Sequence, residues 1–285
     1  CNSSGVTDMG LLNLMGFIRN LKIDGIIFDN NGLTMDETHT LSNHGIFYKS
    51  GNRTGEDELP YKDVEFEFSN IEIANCEFRN GGTSADVNDC GGDGILIIDP
   101  PALSYNINIH DNKFTNWGRW AFAIDLGGKG ERIDGLKFNN NICIQDDKNS
   151  NNAEKYRGLG WIDFESKKCF SNLEIKNNYV NGLNGFAING ASEVTENVII
   201  LGNTIIRPDR NYKSAYPYMF NFYGVQIKDL IFEENDICKG TNRFGYTSNN
   251  ITIKNNKLRE SIQIHGLYGD IIVEKNSMDN KGCII

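Results

Sequence analysis

The chain has few of the features that mark membrane proteins or nucleic-acid-binding proteins. It contains no run of about 18 consecutive apolar residues, the length that a membrane-spanning helix requires. Its 38 Asp and Glu residues outnumber 28 Lys and Arg residues, giving a net charge of −10, and the basic residues form no cluster. Nucleic acids and anionic lipid surfaces are bound through clustered positive charge. We therefore expect neither a nucleic-acid partner nor a membrane span.

Cysteine and proline are too few or too scattered to organise the fold. The seven cysteines include no CxxC pair, and their spacing fits neither a disulfide framework nor a zinc site. Most are therefore expected to be buried as small apolar residues. Cys1 fits the lipidated cysteine of a processed bacterial lipoprotein, which would attach the chain to a cell surface; otherwise it is simply where this segment begins.

The most informative feature is an eight-residue pattern, apolar-x-apolar-x-x-Asn-x-apolar, that recurs nine times. The copies begin at residues 26, 71, 107, 136, 173, 198, 230, 251 and 271. Their sixth positions are Asn31, Cys76, Asn112, Asn141, Asn178, Asn203, Asn235, Asn256 and Asn276. Eight asparagines at nine equivalent positions predict one structural role that is repeated along the chain.

Each copy of the pattern predicts a short strand followed by a bend. Apolar residues that alternate with polar ones are typical of a strand with one buried face. Asparagine tolerates the left-handed backbone conformation of a sharp bend, and its amide can bond the amide of an asparagine stacked one layer away. We therefore expect the sixth-position residues to adopt the bend conformation and to form an asparagine ladder.

A second apolar alternation lies between the copies. Its segments are GIFYK at 45, GILIID at 94, AFAID at 121, WIDFE at 161, GFAING at 185 and SIQIHG at 261. Leucine-rich repeats would need a regular period and a leucine-rich helical return, and the sequence has neither. Short strands with irregular insertions instead predict an all-β fold, a right-handed, single-stranded parallel β-helix (a solenoid) of about nine coils. We expect one such domain across residues 1–285; because neither end has a recognisable cap, it is expected to belong to a longer chain or to have its ends covered by another domain or subunit.

The segment NLKIDGIIFDNNGL, followed by HGIFYKSG and the Asn-bearing strands, resembles the opening coils of the pectate-lyase-like β-helix superfamily. That group includes polysaccharide lyases, glycoside hydrolases, epimerases and bacteriophage tailspikes. The resemblance covers roughly residues 20 to 280, and it implies an extended polysaccharide lying along one outer sheet. The catalytic motifs of polygalacturonases and the calcium cluster of pectate lyases are not recognisable, so the resemblance concerns architecture rather than one activity.

Three carboxylates are expected on the outer face of the strands that the second alternation predicts. When the inward residues of these strands are aligned, the alternating residues Asp125, Asp163 and Glu165 are expected to face outward. Asp163 and Glu165 lie two residues apart, about 6.5–7 Å between Cα atoms, and Asp125 is expected one layer, about 5 Å, from Glu165. Neighbouring carboxylates push their pKa values apart, which provides the acid and the base that glycoside hydrolysis requires. These three residues are the predicted catalytic group.

The predicted substrate-binding residues surround this group. They are Arg119, Trp117, Trp120, Trp161, Asn189, Tyr218, Tyr223 and His265. Aromatic rings provide flat apolar surfaces for sugars, and an arginine can clamp a substrate carboxylate or steady a neighbouring carboxylate. Polar, glycine-rich loops at 50–63, 81–93, 146–159 and 207–217 are expected to wall a groove over the same coils.

Several alternatives remain open for these residues. Outward acids on a parallel sheet are commonly solvated or paired with basic neighbours, and tryptophans commonly pack against loops. No cofactor is predicted, although three carboxylates and Asn189 would also offer oxygen ligands for calcium. A polysaccharide lyase would use Arg119 or His265 to remove a proton beside a uronate.

The leading hypothesis is an extracellular or virion-borne protein that binds a polysaccharide along its outer sheet and hydrolyses it. Asp163 or Glu165 would act as the acid and Asp125 as the base. The main alternative is a non-catalytic glycan-binding protein, either a surface adhesin or a phage tailspike. A tailspike is expected to be a homotrimer.

Overall fold

The protein is described by a computed structural model. The structure describes residues 9–29, 43–50, 67–81, 92–101, 103–117, 120–125, 132–145, 160–165, 169–182, 185–189, 194–206, 218–223, 225–238, 241–244, 247–259, 261–265 and 267–279. All regular structure in these ranges is β-strand, and the strands are numbered β1–β27 in chain order. Across these ranges no helix is long and apolar enough to cross a membrane.

The strands form three parallel sheets of nine strands each. Sheet A contains β1 (Met9–Met15), β4 (Asn43–Lys49), β7 (Ile95–Ile98), β10 (Trp120–Asp125), β13 (Gly160–Glu165), β16 (Phe186–Asn189), β19 (Tyr218–Tyr223), β22 (Thr241–Phe244) and β25 (Ile262–Ile264). Sheet B contains β2 (Ile18–Asp24), β5 (Glu67–Ala74), β8 (Leu103–His110), β11 (Ile133–Asn139), β14 (Phe170–Lys176), β17 (Val194–Leu201), β20 (Gln226–Glu233), β23 (Thr247–Lys254) and β26 (Leu267–Glu274). Sheet C contains β3 (Ile27–Asp29), β6 (Glu77–Arg79), β9 (Lys113–Thr115), β12 (Ile142–Ile144), β15 (Tyr179–Asn181), β18 (Thr204–Ile206), β21 (Asp236–Ile237), β24 (Lys257–Leu258) and β27 (Ser277–Met278). Every third strand along the chain thus joins the same sheet, and this all-β arrangement of stacked parallel strands fits a β-helix.

The apolar residues of the repeats stack into columns between the sheets. In sheet C the rings of Phe28, Phe78 and Phe114 stack with centroids 4.8 and 4.6 Å apart. Cys143 continues this column on the next strand and is fully buried, and burial raises the pKa of its thiol well above the usual range. Cys76, Cys143 and Cys169 are buried, as their scattered positions predict.

A column of buried asparagine side chains runs between sheets B and C. From Asn112 to Asn256, each Nδ2 donates to the Oδ1 of the asparagine in the next bend, at 2.9–3.3 Å, and also to a main-chain carbonyl. The residues joined in this way are Asn112, Asn141, Asn178, Asn203, Asn235, Asn256 and Asn276. At the next position of the column Cys76 replaces asparagine, and its main-chain N–H donates to Asn112 Oδ1 at 2.9 Å.

The residue that makes the bend differs from the expected one. The left-handed conformation belongs to the residue before each stacked asparagine, for example Asn140 (φ 56°) and Asn177 (φ 55°), and not to the asparagine itself. Separating the two roles has a physical reason, because the stacked residue must point its side chain inward while the preceding residue turns the chain.

The first copy of the repeat was predicted in the wrong register. Strand pairing aligns Leu21 with Ile71, Ile23 with Ile73 and Phe28 with Phe78. The first copy is therefore LKIDGIIF at residues 21–28, and Ile26 occupies the sixth position. Asn31, the predicted member of the column, lies outside the described residues.

A second, exposed column of asparagines lies along sheet B and was not predicted. Its members have positive φ within the strands, and several bond one another through their side-chain amides. They include Asn20, Asn70, Asn106, Asn172 and Asn197. Asn106 Nδ2, for example, donates to Asn70 Oδ1 at 2.7 Å. The sequence signal was a second asparagine that precedes the apolar repeat by one residue.

Glu67 anchors a buried polar cluster on sheet B. Its carboxylate accepts hydrogen bonds from the Arg19 guanidinium, the Ser69 hydroxyl and the Tyr105 hydroxyl, while only 4% of the residue is exposed. These hydrogen bonds, led by that of Arg19, lower the pKa of Glu67 to about 2. The ionised form is therefore strongly favoured in the folded chain.

We predict that this cluster makes the fold sensitive to acid. Because the pKa of Glu67 is lower in the folded chain than in the unfolded chain, its contribution is complete above the unfolded value of about 4.5 and is lost as pH falls towards 2. Urea unfolding of wild type and Glu67→Gln should differ most near neutral pH, and the difference should shrink through this window. Glu72→Gln, which removes a carboxylate bonded to Lys22 at the surface, is the matched control. A difference between wild type and Glu67→Gln that does not change with pH would contradict the prediction.

Candidate functional site

The outer face of sheet A brings the predicted acids to one side of the molecule. In β10 and β13, Ala123 pairs with Asp163 and Asp125 pairs with Glu165. In β13 and β16, Asp163 pairs with Ala187 and Glu165 pairs with Asn189. The residues between these positions, such as Phe122, Ile124 and Ile162, belong to the interior. This is the register that the alternation predicts.

The strand geometry sets the spacing of the three acids. Asp125 and Glu165 are direct neighbours on adjacent strands, about 4.8 Å apart, and Asp163 lies about 6.6 Å along the strand from Glu165. Asp125 is partly exposed, whereas only 3% of Asp163 is exposed. Burial of an aspartate is rare unless polar groups compensate for its lost hydration, and Asp163 does interact with another group of the chain. Of Glu165 and Asn189 only the backbone is described.

The tryptophans are buried and do not offer ring faces to a sugar. The Trp117 ring meets Phe78 edge-on at 6.1 Å, and the Trp161 ring meets Phe138 and Phe220 in the same way at 6.1 and 5.9 Å. Trp120 is also buried, at 3% exposure. This corrects the expectation that they form a stacking platform.

The position of Trp161 has a local cause. Gly160 pairs with Trp120, so the next residues, Trp161 and Ala121, are also neighbours. Gly94 lies beside Ala121 on the adjacent strand, so Trp161 belongs to the same column as Ala121 and Gly94. A Cβ added to Gly94 would lie 2.7 Å from the Phe114 ring, so this column faces the interior. The chain thus turns at the start of the strand, and simple alternation does not extend back to residue 161.

His265 is not brought together with the acids. It follows β25, and β16, β19 and β22 separate that strand from β13. At about 4.8 Å per strand the distance is roughly 19 Å. None of the predicted segments of the second alternation lies in β19 or β22, so the sequence did not show how many strands separate His265 from the acids.

The remaining predicted residues are only partly described. Tyr223 pairs with Asn189 and so continues the column of Asp125 and Glu165, while Tyr218 pairs with Thr241. Nothing is described of the side chains of either tyrosine. Arg119 lies outside the described residues, as do almost all of the four predicted loops.

One end of the outer face is apolar and contains a buried histidine and aspartate. Phe47, Leu96, Trp120 and Ala123 form a small cluster separate from the interior, with Ile98 packed against it. Beside this cluster, the Asp93 main-chain N–H donates to His44 Nδ1 at 2.9 Å, and Asp93 Oδ1 accepts from the Trp120 N–H at 3.0 Å. Sequence reasoning attached no role to His44 or Asp93.

The other end of the face continues with polar residues that were not predicted. The column that contains Asp163 runs through Ala187 to Asn221, then to Arg243 and Gln263. Asn221 is only 7% exposed although it faces outward between the interior residues Phe220 and Phe222. The sequence MFNF, an asparagine flanked by apolar residues, was the available signal.

No group of three or more His, Cys, Asp or Glu side chains could hold a metal ion within the described ranges. The Glu165 side chain is not among them, so calcium binding by the three acids stays an alternative. Comparisons of the chain with protein-family models, with curated proteins and with solved structures found no match.

Proposed function

We propose that the chain is a carbohydrate-active protein that binds an extended polysaccharide along the outer face of sheet A and hydrolyses it. The observation that supports this proposal is the pairing of Asp125 with Glu165, with Asp163 two residues away on the same face. Glycosidic bonds are cleaved by two carboxyl groups about 5–10 Å apart, and the spacing of these acids along and across the strands falls in that range. Asp163 or Glu165 acts as the acid, and Asp125 acts as the base.

The proposal extends to the architecture and its setting. We assign the fold as a right-handed, single-stranded β-helix of nine coils with an asparagine ladder, of the pectate-lyase-like superfamily. Its setting is extracellular, on a cell surface or a virion tail. The support for this assignment is the recurrence of each strand three elements later in the same sheet, together with the buried amide column.

The second candidate function is glycan binding without cleavage, as in an adhesin or a tailspike. It is favoured over hydrolysis by the low exposure of Asp163. A structural carboxylate is expected to be buried and bonded, whereas a catalytic one must reach the substrate. The lyase is disfavoured in its His265 form, because His265 lies far from the acids.

A panel of neutral and acidic polysaccharides distinguishes these functions. Xylan, mannan, alginate and polygalacturonate are each incubated with the protein, and chain length, new reducing ends and unsaturated products are measured. Hydrolysis gives shorter chains with new reducing ends and no unsaturation, and this is the expected result. Unsaturated ends would indicate a lyase, and retention in affinity gels without shortening would indicate binding alone. The proposal would be overturned if none of the polysaccharides were cleaved and none retained the protein.

A further inference from the structure

Asn221 is a buried polar side chain with unmet hydrogen-bonding capacity. It lies on the outer face of sheet A and is 7% exposed. Within the part of the chain that the structure describes, its Oδ1 has no hydrogen-bond partner. An unpartnered buried polar atom is unfavourable, because neither water nor the protein compensates for its lost hydration. Such a group calls for an explanation.

Its position relates Asn221 to the proposed site. Strand pairing places Asn221 in one column with Asp163, separated only by Ala187, so the two polar residues are two strands, or roughly 10 Å, apart. The residue at position 187 between them is alanine. A sugar chain that lies across the strands at Asp163 would therefore also pass Asn221.

We propose that Asn221 is a ligand-contacting residue whose amide oxygen accepts a hydrogen bond from a hydroxyl group of the bound polysaccharide. The inference rests on the proposed function and adds a subsite to it, about two strands from Asp163. Oδ1 is covered in the unbound chain, so binding must first displace what covers it and then supplies the donor that Oδ1 lacks. Asn221 serves binding and does not take part in bond cleavage.

Asn242 provides a matched control on the neighbouring strand. Its side chain is fully buried, and in the described structure neither Oδ1 nor Nδ2 has a partner. It pairs with Phe220 and Ile262, both interior residues, so it faces the core and cannot contact a ligand on the outer face. Both asparagines thus have a buried amide oxygen without a partner in the described structure, and only Asn221 faces the proposed site.

The test compares Asn221→Leu with Asn242→Leu. Leucine keeps the volume and removes the amide, so each variant should melt about 2–4 °C above wild type if about 1 kcal/mol of unmet hydrogen bonding is relieved. In affinity gels that contain each polysaccharide of the panel, Asn221→Leu should bind about tenfold more weakly than wild type. Asn242→Leu should bind as wild type does.

Each outcome has a separate meaning. Equal retention of wild type and Asn221→Leu by a polysaccharide that binds the wild type would overturn this inference and leave the proposed function standing. Equal weakening by both variants would also overturn it, because the effect would then be a general one on the fold. If no polysaccharide retains the wild type, the proposed function fails and this inference fails with it.

Discussion

Replacing Asp163 with Asn, or Glu165 with Gln, is expected to lower kcat for polysaccharide cleavage by about 100-fold or more. A positioned acid or base commonly accelerates proton transfer by about 10²–10⁴-fold, and an amide can perform neither role. The double variant should lose less activity than the product of the two single fold-losses, because the effects of residues that act as a unit are not additive. Release of reducing ends under saturating substrate is the measurement.

Matched controls separate chemistry from folding in this experiment. Glu233→Gln and Asp134→Asn make the same chemical changes on the outer side of sheet B and should leave kcat within about twofold. Circular dichroism and melting curves show whether each variant retains the fold. Because Asp163 is buried, the Glu165→Gln result matters most if Asp163→Asn is destabilised. Unaltered turnover in both site variants would exclude these residues from catalysis.

Truncating Asn178 to alanine should cause the largest loss of stability, about 3 kcal/mol or more. Its Nδ2 donates to the Phe138 carbonyl at 2.8 Å, and its Oδ1 accepts from the Asn141 main-chain N–H at 2.9 Å. Both main-chain groups would lose these bonds in the interior, and each buried group left without a partner costs about 1–3 kcal/mol. Urea unfolding of the variant measures the loss.

Two further variants test the explanation. Asn178→Cys reproduces the natural arrangement at Cys76, where Sγ lies 3.9 Å from the Ile23 carbonyl oxygen, the counterpart of the Phe138 carbonyl, and it should be less destabilising than alanine. Asn172→Gly removes an asparagine from the exposed column while tolerating its positive φ, and it should change stability by less than about 1 kcal/mol. If Asn172→Gly were as destabilising as Asn178→Ala, burial of the amides would not be the source of their contribution.

Local patterns were sufficient to predict the pairing of the strands that carry the acids. Side chains alternate strictly along a strand, so Phe122, Ile124 and Ile162 define the inner face, and Asp125, Asp163 and Glu165 must share the outer one. The asparagine column was predictable for the same reason, because identical residues at equivalent positions of a repeat become neighbours. The strand pairing aligns Asp125 with Glu165, and side-chain amides join Asn141 to Asn178 and Asn178 to Asn203.

The errors arose where a residue's direction depends on the whole coil. Trp161 follows a turn that reverses the simple alternation, so its ring enters the interior. Asn177, and not Asn178, adopts the left-handed bend, because one residue cannot both turn the chain and point its amide inward. The first copy of the repeat contains several adjacent apolar residues, and only pairing with Ile71 and Phe78 selects among the registers.

The sequence by itself determined that this chain forms stacked short strands, which of their residues face inward, and which acids share an outer face, because these properties follow from the twofold alternation of a strand and from repetition. Only the tertiary structure decided which residues are buried on that outer face. Burial there depends on what packs across the sheet from distant parts of the chain, and no local pattern records it. The tryptophans, Asp163 and Asn221 therefore acquire their environments from the assembled fold.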